Sequence, residues 1–96
     1  MDTTIKAVHF DITEKLTEFI NKKVDRLARR YQNIIGVDVT LNVIKPETSL
    51  NKQALIKVDV PQEEVVAEKT ADTFEEAVDV SLEAVERQLE RIKNRK

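Results

Sequence analysis

The segment from Val37 to Val43 alternates without a break: Val37, Val39, Leu41 and Val43 are apolar, and Asp38, Thr40 and Asn42 between them are polar. Side chains on a strand have a period of two, so this pattern buries one face of a sheet and leaves the other to solvent. Ala54, Ile56, Val58 and Val60 repeat the alternation beyond a polar stretch, Lys45 to Lys52, that contains Pro46 and reads as a loop. Strands buried on one side only require a cover on that side, and amphipathic helices from the same chain are the economical way to provide it.

Two such helices are written in the sequence. Asp11 or Thr13 is placed to cap the first, and Leu16, Phe19, Ile20, Val24, Leu27, Ala28 and Tyr31 recur at helical spacing after it. Gly36 follows and is expected to close the segment in a left-handed turn. Thr73 and Glu76 form a capping-box pair for the second helix, followed by Phe74, Ala77, Val78, Ser81, Leu82, Val85, Leu89 and Ile92 at steps of three and four. A first strand is expected over residues 3 to 10. A fourth follows the turn at Pro61-Gln62-Glu63, with Val65 and Ala67 inward between Glu64, Glu68 and Thr70.

The resulting order is βαβββα, an α+β fold in one domain spanning residues 1–96. If the first two strands pair in parallel through a right-handed crossover and the next two follow as hairpins, the fourth strand points the same way as the second. The two helices then lie roughly parallel on one face of a four-stranded sheet, with their C-termini at the same end. The free edge of strand four offers a route to self-association by strand pairing.

Several chemistries are excluded or disfavoured at this level. The chain of 96 residues contains no cysteine, which removes disulfides, thiolate nucleophiles and Cys-ligated zinc. No stretch approaches the roughly 20 apolar residues that span a bilayer, so a cytoplasmic protein without membrane contact is expected. His9 is the only histidine and stands near a strand end, a structural position more often than a chemical one. No nucleophile-base pair or phosphate-binding glycine loop is present, so neither an enzyme activity nor a small-molecule substrate, metal or other cofactor is expected. Glu75, Glu76, Asp79, Glu83 and Glu86 have the spacing of a solvated helix face. Phe10, Phe19 and Phe74 are expected in the core, and Tyr31 is expected to be partly buried with its hydroxyl in water.

The net charge of −2 conceals a strong segregation. Pro61 to Glu86 holds nine acids and one base, Lys69, whereas Lys22 to Arg30 holds five bases and one acid. Arg87 to Lys96 again holds five bases and one acid. Both basic runs sit at helix C-termini, where they complement the helix dipole, and that alone explains part of the pattern. In the parallel-helix arrangement the two runs would meet as one cationic surface able to attract phosphates. Lys15, Lys22, Arg26, Arg29 and Arg30 share an edge of the first helix by their spacing, with Lys23 beside it. Arg87, Arg91 and Lys93 to Lys96, Arg95 among them, would extend that surface from the second helix.

Once these features are assembled, the chain resembles the ribosome hibernation factors, also called ribosome-associated inhibitors, sigma-54 modulation proteins or the S30EA family. The matching residues are Asp11-Ile12-Thr13-Glu14, Leu16, Glu18-Phe19-Ile20, Lys22 and Arg26-Leu27 in the first helix. Asp72-Thr73-Phe74, Ala77-Val78-Asp79 and Arg87-Gln88-Leu89 match the second, and the likeness extends over roughly residues 3 to 93. The resemblance implies a βαβββα domain similar to double-stranded RNA-binding domains. It also implies docking in the messenger and transfer RNA channel of the small ribosomal subunit, on 16S rRNA, in free subunits and in 70S ribosomes. By position it assigns rRNA contacts to Lys22, Arg26 and Arg87, then to Arg30 and Arg91, with Lys15, Lys23, Arg29, Lys93 and Arg95 as further contacts.

The sequence departs from the family pattern in three places. Ala84 stands where a lysine is usual, Phe74 replaces a tyrosine, and Glu63, Glu64, Glu68, Glu75 and Glu76 make the chain unusually acidic. The second, dimerising domain of longer members is not expected after the second helix. Two alternatives remain open from sequence: a protein-interaction module that uses the acidic surface, and a domain that binds free double-stranded RNA.

Overall fold

The computed structural model describes residues 1–44 and 49–95. Six elements follow in the order β1 (Asp2–Val8), α1 (Glu14–Arg30), β2 (Gly36–Val43), β3 (Lys52–Val60), β4 (Glu63–Ala71) and α2 (Phe74–Lys93). Residues 45–48 of the expected loop, and Lys96, lie outside the described residues. No described helix is long and apolar enough to cross a membrane.

The sheet order is β1-β2-β3-β4, with β1 parallel to β2 and the other neighbours antiparallel. Register follows the alternation read from sequence. Val37 pairs with Val58, Val39 with Ile56 and Leu41 with Ala54, all buried on the face beneath the helices. From α1 the core receives Leu16, Ile20, Val24 and Leu27; from α2 it receives Ala77, Val78, Leu82, Val85 and Leu89. Ser81 is fully buried in that stripe, where its hydroxyl donates to the Ala54 carbonyl at 3.1 Å. A buried hydroxyl without such a partner would be costly.

Three local expectations are corrected. Strand β1 ends at Val8 rather than at residue 10, because His9 takes a positive φ of 65° and turns the chain toward α1. Histidine tolerates that region better than most residues with a Cβ. Phe10, carried past the turn, stacks on Phe74 with ring centroids 4.7 Å apart, and both rings flank the core half-buried. Gly36 forms no left-handed cap. It opens β2, while Tyr31 closes α1 with its amide on the Leu27 carbonyl. A Cβ on Gly36 would stand 3.3 Å from the Asp2 carbonyl oxygen, so the residue permits close pairing with β1.

Both helix starts are side-chain capped. Thr13 Oγ1 accepts from the Leu16 amide and Thr73 Oγ1 from the Glu76 amide, each at 3.1 Å. Asp72 has a different task. Its Oδ1 accepts from the Leu50 amide at 2.8 Å and holds a residue whose φ is 56°.

Candidate nucleic-acid interface

Parallel helices are confirmed by their side-chain partners, whose numbers rise together along both elements. Lys23 Nζ lies 3.2 Å from Asp79, Arg30 lies 3.8 Å from Glu86, and the Tyr31 hydroxyl donates to Glu90. The Tyr31 ring is buried and its hydroxyl is bonded to this carboxylate, not left to water.

At about 100° per residue, Lys15, Lys22, Lys23, Arg26, Arg29 and Arg30 fall within an arc of about 120° on α1. Lys15, Lys22, Arg26 and Arg29 are exposed, and among the described residues none has a carboxylate within 4.0 Å. Lys23 is half-buried against Asp79, with its ammonium 5.3 Å from the Phe19 ring centroid. The α1 cations thus divide into an outer row of four without partners and an inner pair, Lys23 and Arg30, that faces acids.

Helix α2 presents a different charge on each edge. Asp79, Glu83, Glu86 and Glu90 follow steps of four, three and four, which stack them on the edge toward α1. Asp79, Glu83 and Glu86 line a groove of about 300 Å³ with Lys23, Arg26 and the apolar Leu27 and Leu82. Arg87, Arg91 and Arg95 step by four along the outer side and toward β4. There Arg95 bonds to Glu63 at 2.6 Å, and Gln88 donates to the Val66 carbonyl at 2.9 Å. Arg91 borders the same hollow as Arg95, Glu63 and Glu64.

The single cationic surface expected from the sequence is therefore split. Successive residues on a helix point about 100° apart, so Glu86 faces α1 while Arg87 faces away from it. An acidic stripe stands between the α1 row and the α2 arginines. Arg30 and Lys93 line one cleft at the C-terminal end of the helix pair. In sequence the α2 acids have the spacing of a solvated face, and their four-three-four steps place them on one edge; only the packing of the two helices turns that edge toward α1.

If the acidic stripe screens the α1 cations, removing it should strengthen polyanion binding. Asp79→Asn with Glu86→Gln should raise RNA affinity about three- to tenfold and steepen the dependence of log K on log salt by about 0.7 to 0.9 for each phosphate newly contacted. The stability cost should stay under about 1 kcal/mol, because both ion pairs are partly solvated. Anisotropy titrations over a salt series measure this, and an unchanged slope would show that the stripe does not compete with phosphate.

The Tyr31 phenol is pushed up to about 12 from an ordinary 10.0, first by burial and then by the Glu90 carboxylate that accepts its proton in a hydrogen bond. The folded state therefore holds this proton more tightly than the unfolded chain does. The resulting stability is fully present below about pH 10 and is lost as pH rises from there through about 12. Denaturant unfolding of Tyr31→Phe should show a flatter decline than the wild type across that alkaline window.

Comparison with known proteins agrees with this fold. The family model described as sigma 54 modulation protein / S30EA ribosomal protein matches residues 3–96. A ribosome hibernation promoting factor from Azotobacter vinelandii is 28% identical over 89 residues, which span 93% of this chain and 79% of that protein. One of the same name from Pseudomonas putida is 25% identical over 95 residues, 99% of this chain and 89% of that protein. The fold matches a ribosomal subunit interface protein from Coxiella burnetii with a TM-score of 0.88 at 23% identity, covering 99% of this chain and 100% of the other. It also matches the N-terminal domain of Thermus thermophilus Protein Y with a TM-score of 0.80 at 24% identity, covering 96% and 99%. With the family model spanning nearly the whole chain and the four-stranded βαβββα fold shared, this protein belongs to the sigma 54 modulation protein / S30EA ribosomal protein family.

Proposed function

We propose that this protein is a ribosome hibernation factor: a single cytoplasmic domain that binds the small ribosomal subunit at its messenger and transfer RNA channel and keeps it idle. The observation that carries the reading is the row Lys15, Lys22, Arg26 and Arg29, four exposed cations on one edge of α1 without acidic partners among the described residues. It stands in a chain whose relatives are named ribosome hibernation promoting factors. The function is occupation of a site, with no reaction catalysed. Phosphates of 16S rRNA neutralise the row and release counterions, and the backbone path of folded RNA sets the register. Lysine and arginine on a helix cannot enter the deep major groove of A-form RNA, so shape dominates over base sequence.

Arg87 and Arg91 form a second contact surface across the acidic stripe, one that a concave rRNA site reaches together with the α1 row. Several acids that would carry a protein-interaction surface already have partners within the chain, Glu63 with Arg95 and Glu64 with Lys57. That weakens the rival reading. Sedimentation with purified small subunits tests the proposal: saturable pelleting is expected, sensitive to salt, and tighter than binding to naked duplex RNA. Equal affinity for both would favour a free double-stranded RNA-binding domain. A folded protein that fails to pellet at low salt would end the ribosome assignment.

A further inference from the structure

The C-terminal turns of α1 and α2 enclose a cleft of about 290 Å³ that the exposed cation row does not use. Its apolar lining is the half-buried Ile92, with the nearly buried Leu89 and Tyr31 behind it. Arg30 and Lys93 line it from the two helices, and the exposed Gln32 and Asn33 line it from the connection to β2. No carboxylate is among its lining residues. Two acids that pair with its lining residues are Glu86, with Arg30, and Glu90, with the Tyr31 hydroxyl. The latter bond also fixes the ring that forms one wall.

We propose that this cleft seats one unpaired nucleotide of an RNA strand, an inference that rests on the RNA-binding reading above. The base lies against Ile92, its phosphate meets Lys93 and Arg30, and the Gln32 and Asn33 carboxamides meet the base edge. Each part of the ligand has a matching group. A base needs an apolar or guanidinium platform for its face, and the Arg30 guanidinium already lies 5.8 Å from the Tyr31 ring centroid. Base edges mix donors and acceptors, and a carboxamide offers both. The flanking phosphate needs cations from more than one direction, which the two helix ends provide. The volume is at the lower end for small-molecule sites, about 300 Å³, and suits one nucleotide rather than a helix or a peptide strand. Bases in a duplex stay stacked, so the cleft selects bulges, loops and ends.

The test uses two RNA hairpins closed by the same tight four-base loop and differing only in the stem, one with a single bulged adenosine and one with every stem base paired, so that loop and ends contribute equally; each is titrated into isotope-labelled protein and followed by NMR. The unpaired hairpin is expected to bind about tenfold tighter, within the range that stacking of one base supplies. The Ile92 methyl and the Gln32 and Asn33 carboxamide signals are expected to shift on saturation. Ile92→Gln and, independently, the exposed Asn33→Ala should reduce the preference while leaving the paired hairpin within about twofold. Equal affinities with silent Ile92 signals would overturn the proposal, and adenosine monophosphate binding more tightly than the unpaired hairpin would replace the RNA strand with a free nucleotide. Sedimentation with small subunits is measured in parallel. If the wild type still pellets while the hairpins bind equally, the cleft assignment fails and the ribosome reading stands; if pelleting fails as well, both fall.

Discussion

Lys22→Glu combined with Arg26→Glu should weaken binding to small ribosomal subunits on the order of a hundredfold at about 0.1 M salt. Both residues are exposed on the outer row of α1 and have no acidic partner among the described residues. Reversal removes two phosphate contacts and sets two carboxylates against the RNA, and a cost of about 1.4 kcal/mol at each position gives the hundredfold loss. The buried stripe of α1, Leu16, Ile20, Val24 and Leu27, is untouched, so the far-ultraviolet circular dichroism and unfolding midpoint should stay near the wild type. Arg87→Glu with Arg91→Glu should cost less, about tenfold, because Arg91 already sits near Glu63 and Glu64. Unchanged binding in the α1 variant would remove the row from the interface.

Ile20→Ala should lower unfolding stability by about 2–5 kcal/mol. Ile20 is completely buried, with Leu16 and Val24 one turn to either side on the stripe that ties α1 to the sheet. The loss is large beside the roughly 5–15 kcal/mol that a domain of this kind has in total. It corresponds to a melting temperature lower by some 10 to 30 °C, measured by calorimetry. Because the cations ride on this helix, subunit binding by the variant should persist in the cold and collapse near its own melting temperature. A melting temperature within about 3 °C of the wild type would show that α1 is not held by this packing.

Most of the fold was legible because its signals are local and mutually consistent. The alternation in β2 and β3 set which residues face the helices, Thr73 marked the start of α2, and the start of α1 was narrowed to Asp11 or Thr13, of which Thr13 is the cap. The parallel relation of α1 and α2 followed from strand direction alone. Features that depend on tertiary placement were not legible. Nothing in the local sequence says that His9 takes a positive φ, and Gly36 looks like a helix stop when it is a close-pairing residue at the start of β2. Asp72 stands next to the Thr73 cap in sequence, and nothing local shows that its carboxylate holds Leu50 twenty-two residues away.

For the candidate site, the cations were identifiable but their grouping was not. Joining the basic runs required knowing which edge of α2 faces α1, and that edge carries acids. The consequence is functional. Lys23 and Arg30 begin in ion pairs within the chain, so a phosphate at the half-buried Lys23 must compete with Asp79, whereas the exposed Arg30 guanidinium keeps donors free beside Glu86. Of the outer row, Arg26 shares its groove with Asp79, Glu83 and Glu86, whereas Lys15, Lys22 and Arg29 are outside that groove.

The chain has no cysteine, so one introduced thiol can carry a tethered iron chelate that cleaves nearby RNA. Glu18→Cys places the probe beside Lys22 without removing a cation, and Thr4→Cys places it on the exposed sheet face opposite the helices. With the probe at position 18, cleavage of 16S rRNA is expected at strands lining the messenger and transfer RNA channel, with little or none from position 4. Cleavage from position 4 with silence at position 18, in a complex that still pellets, would contradict the central claim that the α1 edge holds the ribosomal RNA.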